Sequence, residues 1–248
     1  MRYEQAKKYW EQQSELMKKI RAGGMAEYVK TIPNLAQGFT LADRWLRCID
    51  EGTAGGVHMA GSGILLGVEA AAGAARAAGA TTITSHEECG AAKLYAKEKG
   101  LDEEKSDTYG QEFARDLAKK LGVNYCHLPL SEMARPAGLH VARVAYYDGT
   151  GKFDPARVPE LPAGFVISRR YLKPDYARRE CEIAISIALG HHGFGELFTE
   201  DTPFILVVVG DPKEKMFSLG SLRTEVEEIA RAHGGRVAVD AFVSPVQK

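Results

Sequence analysis

The chain has 248 residues, 45% of them apolar and 26% charged, with a formal net charge of −1, which is room for one large α/β domain or two small ones. So small a net charge gives no electrostatic ground for nucleic acid or an anionic membrane as partner, and no apolar run approaches the roughly 20 residues that a membrane-spanning helix needs. Four cysteines in a chain this long fit a reducing cytoplasm better than a disulfide framework, and the charged start Met1-Arg2-Tyr3-Glu4 does not read as a signal peptide.

In chain order, Tyr3, Ala6, Trp10, Gln13, Met17 and Ile20 share one helical face with Lys and Glu opposite, and Gly23-Gly24 ends that helix. The face lies either on the chain's own core or on a partner subunit; residues 1–37 are expected to form an N-terminal helical arm. A short helix over 25–30 stops before Pro33.

Trp45, Leu46, Cys48 and Ile49 read as a short buried strand, in which Cys48 and Asp50 point the same way. The segment 55–63 is too rich in glycine for a plain strand and leads into an Ala- and Gly-rich helix over 64–78. A Gly-Ser-Gly before a helix can cradle an anion, but the pattern matches neither the dinucleotide fingerprint nor the P-loop, and close packing is the better reading. Residues 80–85 read as a second strand. His86 and Cys89 then stand three apart where that strand turns into a helix over 91–99, whose first turn favours a thiolate through its free N–H groups and dipole. Two thiolates, one imidazole and one carboxylate from adjacent strand ends make the donor set of a tetrahedral zinc site.

Beyond it the pattern predicts a helix over 106–121, strands over 123–128 and 141–147, and a turn at Asp148-Gly149-Thr150-Gly151. A Pro-studded link carries Pro155, Pro159 and Pro162. Then follow a strand over 165–168, a helix over 175–189, an apolar strand over 204–209, a helix over 222–232 and a last strand over 236–243. Helices alternating with strands predict an α/β fold: a mostly parallel central sheet covered by helices on both faces. The organisation expected is one domain over 1–248, with a zinc-site core over 40–153 and a C-terminal βαβαβ extension of the sheet over 160–248. No internal repeat is visible. Cys126 and Cys181 read as small buried residues, and His191, His192 and His233 as helix-end or solvent-facing groups. His127 and Cys126 face opposite ways, and His58 is either a site wall or a packed imidazole.

Three segments together resemble the β-class carbonic anhydrases: Cys48-Ile49-Asp50, His58-Met59-Ala60-Gly61, and Ser85-His86-Glu87-Glu88-Cys89-Gly90. Tyr147 to Phe153 is also similar to that family's Tyr-Asp-x-x-Thr-Gly hairpin. The likeness covers roughly residues 40–153 and leaves 160–248 unexplained. It implies Zn²⁺ on Cys48, His86 and Cys89 with Asp50 beside the metal, and reversible hydration of CO₂ to bicarbonate by zinc-bound hydroxide. Ala60, Gly61 and Ser62 would border a small linear substrate, and His58 would carry protons out. The family's Arg two residues after the Asp is replaced here by Gly52. Asp50 is therefore expected to take the fourth zinc position unless a distant Arg, such as Arg135, Arg169 or Arg170, holds it away; Arg47 points to the other strand face. The alternatives are a zinc-dependent hydrolase of another small substrate and a non-catalytic protein whose zinc site is closed by both cysteines, the histidine and Asp50. The aromatic face of the first helix and the small-residue helix both call for close neighbours. Together with the family's exchange of helical arms, they predict a homodimer or higher homo-oligomer.

Overall fold

In the computed structural model, which describes residues 2–40, 43–53 and 55–245, the strands form two four-stranded sheets. The first contains Trp45–Arg47 (β1), Val57–His58 (β2), Thr82–His86 (β3) and Asn124–Leu128 (β4), in the order β2-β1-β3-β4. The second contains Val144–Asp148 (β5), Gly164–Ile167 (β6), Phe204–Gly210 (β7) and Val237–Val243 (β8), in the order β6-β5-β7-β8. Every pairing within each sheet is parallel. The two sheets meet edge to edge: the Val166 N–H donates to the Ile49 carbonyl at 3.0 Å, and the Ser168 N–H to the His58 carbonyl at 3.2 Å.

The α/β class and the parallel pairing are as the sequence led us to expect, because alternating helices and strands force crossovers over the sheet faces. The location of β5 differs. Val144–Asp148 is a central strand of the second sheet, paired in parallel with β6 and β7, so Tyr147 to Phe153 is not the hairpin that the family resemblance implied. The strand has two apolar side chains for each of two cores: Ala145 and Tyr147 pack with one cluster, Val144 and Tyr146 with the other. β7 does the same, Leu206 and Val208 facing one side and Ile205, Val207 and Val209 the other, which is why its sequence is uninterruptedly apolar.

The helices are Arg2–Gly23 (α1), Met25–Lys30 (α2), Val68–Ala78 (α3), Gly90–Glu98 (α4), Ser106–Leu121 (α5), Pro174–Leu189 (α6) and Leu219–Arg231 (α7). The small-residue helix is shorter than its sequence suggested: a 3-10 turn over Ala60–Gly63 precedes it, and Gly67 caps it. Its Ala71, Ala72, Ala75 and Ala78 are buried, and α5 packs on it. None of the helices among the described residues is long and apolar enough to cross a membrane.

The arm α1 lies on the second half of its own chain. Trp10 meets Phe194 and Phe198 edge-on with ring centroids 5.1 Å away in each case, and Gln13 donates to the Val141 carbonyl at 2.8 Å. Arg143, fully buried, stacks its guanidinium on the Trp10 ring at 3.3 Å, and burial pushes its pKa down to about 9. Tyr3, expected on the covered face, is 61% exposed, because the helix begins beyond the edge of the surface it covers. Trp10→Ala removes an aromatic anchor and uncovers the buried cation; we expect it to cost ~3–5 kcal/mol in urea unfolding. A loss below about 1 kcal/mol would show that the arm is only loosely attached.

Candidate metal centre

Cys48 follows the last residue of β1, His86 ends β3, and Cys89 is the residue before α4 begins. Because β1 and β3 are parallel neighbours, both strand ends emerge at the same edge, and the turn Glu87-Glu88 brings Cys89 back to it. Glu88 has a left-handed φ of 54°, a strained conformation for a residue other than glycine, held here by this tight turn. The ligating atoms of Cys48, His86 and Cys89 all lie within 4.8 Å of one another, and the three residues are buried. The two sulfurs are 3.9 Å apart.

Three observations fit these residues to a metal ion. The His86 Nδ1–H donates to the Glu87 carbonyl at 2.8 Å, which leaves the lone pair on Nε2, and Nε2 is buried without a hydrogen-bond partner. A buried polar atom so placed is costly unless something absent from the polypeptide satisfies it. The Gly61 N–H points at Cys48 Sγ at 3.2 Å and supports negative charge on the sulfur. Burial pushes the Cys48 thiol up, with Cys89 adding to the rise and His86 opposing it, whereas His86 is held at about 9: burial opposes its charge, but Cys48 and Asp50 outweigh burial. A field that favours a proton among these groups favours a cation there.

Asp50 stands beside the set, its Oδ2 3.8 Å from His86 Nε2. The distant arginine that would hold it off the fourth zinc position is present. Arg135 Nε reaches both carboxylate oxygens at 3.0 Å, and the Gly52 N–H donates to Oδ1 at 2.8 Å. Burial raises the Asp50 pKa, but His140, His86, Arg135 and the Gly52 N–H together bring it below its ordinary value. An arginine from a remote loop thus pairs with Asp50, and Gly52 is what admits it. A Cβ at position 52 would lie 2.9 Å from Arg135 Cγ and 3.0 Å from Asp50 Oδ1, too close for either. Of the other candidates, Arg169 is tied to Glu225 and Arg170 to Asp211 and Glu214.

A second acidic group adjoins the first. Ligand atoms of Asp50, Glu51 and His140 lie within 4.8 Å of one another, and His140 Nδ1 is 3.0 Å from Glu51 Oε2. Glu51 also accepts the Val141 N–H at 2.6 Å. A cleft of about 600 Å³ opens on this side, lined by Cys89, Arg135, His140, Ser186, Ile187 and His191 among others.

The chain matches no known family, no curated protein and no solved structure. The residues themselves therefore carry the reading: a Cys-His-Cys set and an Asp-rich group, both able to hold a metal, on a parallel α/β sheet.

Other expected site residues are placed differently. His58 is 1% exposed, its Nδ1 lies 2.7 Å from the Cys48 carbonyl, and burial pushes it down to about 4. It stays neutral near pH 7 and lines no part of the cleft, which removes the ground for a proton-carrying role. Ser62, at a left-handed φ of 55°, spends its hydroxyl on the Thr84 carbonyl at 2.6 Å. Ala60 gives its N–H to Glu180, so of the trio Ala60, Gly61 and Ser62 only Gly61 turns a polar group to the sulfurs. Sequence reasoning missed His140 and Glu51. Both follow no periodicity and sit 89 residues apart, and no short-range spacing joins them.

Glu180 is also unforeseen: it is fully buried on α6, its Oε1 has no partner, and burial raises its pKa to about 8 from an ordinary 4.5. A carboxyl raised in the folded state is harmless below its unfolded value and costs stability as the pH climbs from 4.5 through about 8. Glu180→Gln is therefore expected to gain ~1–3 kcal/mol at pH 8 and little at pH 4 in urea melts. An equal effect at both pH values would mean that folding does not raise the pKa of this carboxyl.

Proposed function

We propose that the protein is a zinc-dependent lyase of the carbonic anhydrase kind, hydrating CO₂ to bicarbonate and the reverse. The observation that carries this reading is the Arg135–Asp50 pair. With both carboxylate oxygens engaged at 3.0 Å, Asp50 is held as a neighbour of the Cys48, His86 and Cys89 set rather than as a member of it. Three ligands and one open position are the composition of a catalytic zinc site; four closed ligands are that of a structural one. The sulfur separation of 3.9 Å also suits zinc, since two bonds of about 2.3 Å at the tetrahedral angle separate the sulfurs by about 3.8 Å.

Bound zinc would supply a water acidified toward neutral pH as the nucleophile. The chain's own residues do the rest. Asp50, fixed by Arg135 and the Gly52 N–H, presents a lone pair that accepts the nucleophile's hydrogen and so orients it. The Gly61 N–H restrains charge on Cys48, and the Glu87 carbonyl sets the tautomer of His86. The cleft beside Cys89 admits the substrate from solvent, and the positive Arg135 at its wall suits an anionic product.

The size of the cleft favours a second reading. About 600 Å³ is far more than a three-atom substrate fills, and it suits hydrolysis of a larger small molecule at the same centre. Stopped-flow CO₂ hydration on protein of known zinc content distinguishes the two. Turnover lost on chelation and restored by Zn²⁺ supports the lyase. Background rates at full zinc occupancy overturn it.

A further inference from the structure

We infer that the second half of the chain repeats the first, and that at its corresponding corner the guanidinium of Arg170 stands where, on the proposed function, the first half would hold its metal. The halves share one plan. In each, the strand order is second-first-third-fourth, all parallel, and a 3-10 turn follows the second strand: Ala60–Gly63 in one, Arg169–Tyr171 in the other. A helix then leads to the third strand, α3 to β3 and α6 to β7. The halves meet through the same strand of each, β2 against β6, and their contacts are reciprocal. α6 of the second half receives the Ala60 N–H on Glu180, while α3 of the first half packs on the Arg169–Tyr171 turn. Mutual contact of equivalent parts is the mark of a two-fold pair, here within one polypeptide.

The strand registers bring the two corners into correspondence. Leu46 lies beside Val57 and Ile83, and Tyr147 lies beside Ile167 and Val208. Setting Leu46 on Tyr147 places Cys48 on Gly149, His86 on Asp211, Cys89 on Glu214 and Ala60 on Arg170. Those are the very groups that Arg170 joins: its Nη1 is 3.2 Å from Asp211 Oδ2 and 3.4 Å from the Gly149 carbonyl, and its Nη2 is bonded to Glu214. The register that sets the last residue of β1, Arg47, on the last residue of β5, Asp148, thus puts a cationic side chain among the counterparts of all three proposed metal ligands. The donors there are a carboxylate pair and a carbonyl, all oxygen, so a cation admitted in place of the guanidinium would be a hard one such as Mn²⁺ rather than zinc.

The consequence is that α6 and the loop after it serve the first half as a built-in partner, with Ser186, Ile187 and His191 walling the zinc cleft. The test leaves the zinc centre alone. Mn²⁺ titration followed by electron paramagnetic resonance is expected to show one site in Arg170→Ala that is at least roughly tenfold tighter than any in the parent protein. Adding Asp211→Asn should abolish it. Should Arg170→Ala not fold, Arg170→Met keeps an apolar stem and removes the guanidinium that lies over Phe217. Mn²⁺ bound no better by the folded variant than by the parent overturns the inference. Zinc content and CO₂ hydration read the other corner, so failure here is separable from failure of the proposed function.

Discussion

Arg135→Met is expected to lower kcat/KM for CO₂ hydration by ~100-fold or more while zinc stays bound at its full level. Arg135 makes no hydrogen bond to Cys48, His86 or Cys89; on the proposed function it acts by gripping Asp50, whose carboxylate is 2% exposed and lies 3.8 Å from His86 Nε2. Without the guanidinium, that buried charge has two ways to lower its energy. It can bind a proton, and then it no longer accepts a hydrogen bond from the nucleophile. It can also swing a short distance and close the open metal position, which stops access by water. Either ends catalysis without removing the metal. Breaking a buried pair at one partner also costs ~3–5 kcal/mol in stability, so unfolding should be measured on the same samples. Arg135→Lys keeps the charge but not the fork and should recover only part of the rate. Near-parental turnover in a folded Arg135→Met protein would refute the role given to this pair.

Cys48→Ser is expected to leave the protein without zinc, and Cys89→Ser likewise, whereas Cys126→Ser and Cys181→Ser keep the parental content. Serine preserves the size of the side chain nearly unchanged but supplies a neutral hydroxyl in place of a thiolate. The Gly61 N–H at 3.2 Å and the lone pair of His86 Nε2 are arranged around a charged sulfur and a cation. Loss of one thiolate should weaken zinc binding by several orders of magnitude and take with it the stabilisation that binding adds to the folded state. Elemental analysis after purification at fixed zinc, paired with thermal melts with and without chelator, reads both effects. The parental protein should melt lower in chelator, and the Cys48→Ser protein should be indifferent to it. Full zinc in Cys48→Ser would place the metal elsewhere.

The elements themselves were legible in the residues. Alternating helical and strand periods predict a parallel α/β fold, since an amphipathic helix between two apolar runs must cross the sheet face. The uniformly apolar run of β7 predicts cover on both faces, and the structure lays a separate core on each. The Cys48, His86 and Cys89 set was visible for a local reason: β1 and β3 are adjacent parallel strands, and a strand end followed by Gly marks where side chains emerge from a sheet.

What the sequence could not say is of another kind. Arg135 and Asp50 are 85 residues apart, and Glu51 and His140 are 89 apart. Neither pair has a spacing that helical or strand geometry makes meaningful. Gly52 illustrates the difficulty: read along the chain it offers Asp50 no partner, yet in the fold it is the space through which Arg135 reaches that carboxylate. The membership of β5 was hidden in the same way, because a short apolar strand is equally at home in either sheet, and hydrogen-bonded register alone decides between them. The likeness of the two halves was hidden because a sheet order can persist when the side chains that filled it have changed: the ligand positions of one half hold Gly149, Asp211 and Glu214 in the other. Local periodicity and short spacings are properties of a chain and can be read along it. Which distant charge neutralises which, and which strand edge meets which, depend on distances that exist only once the chain has folded.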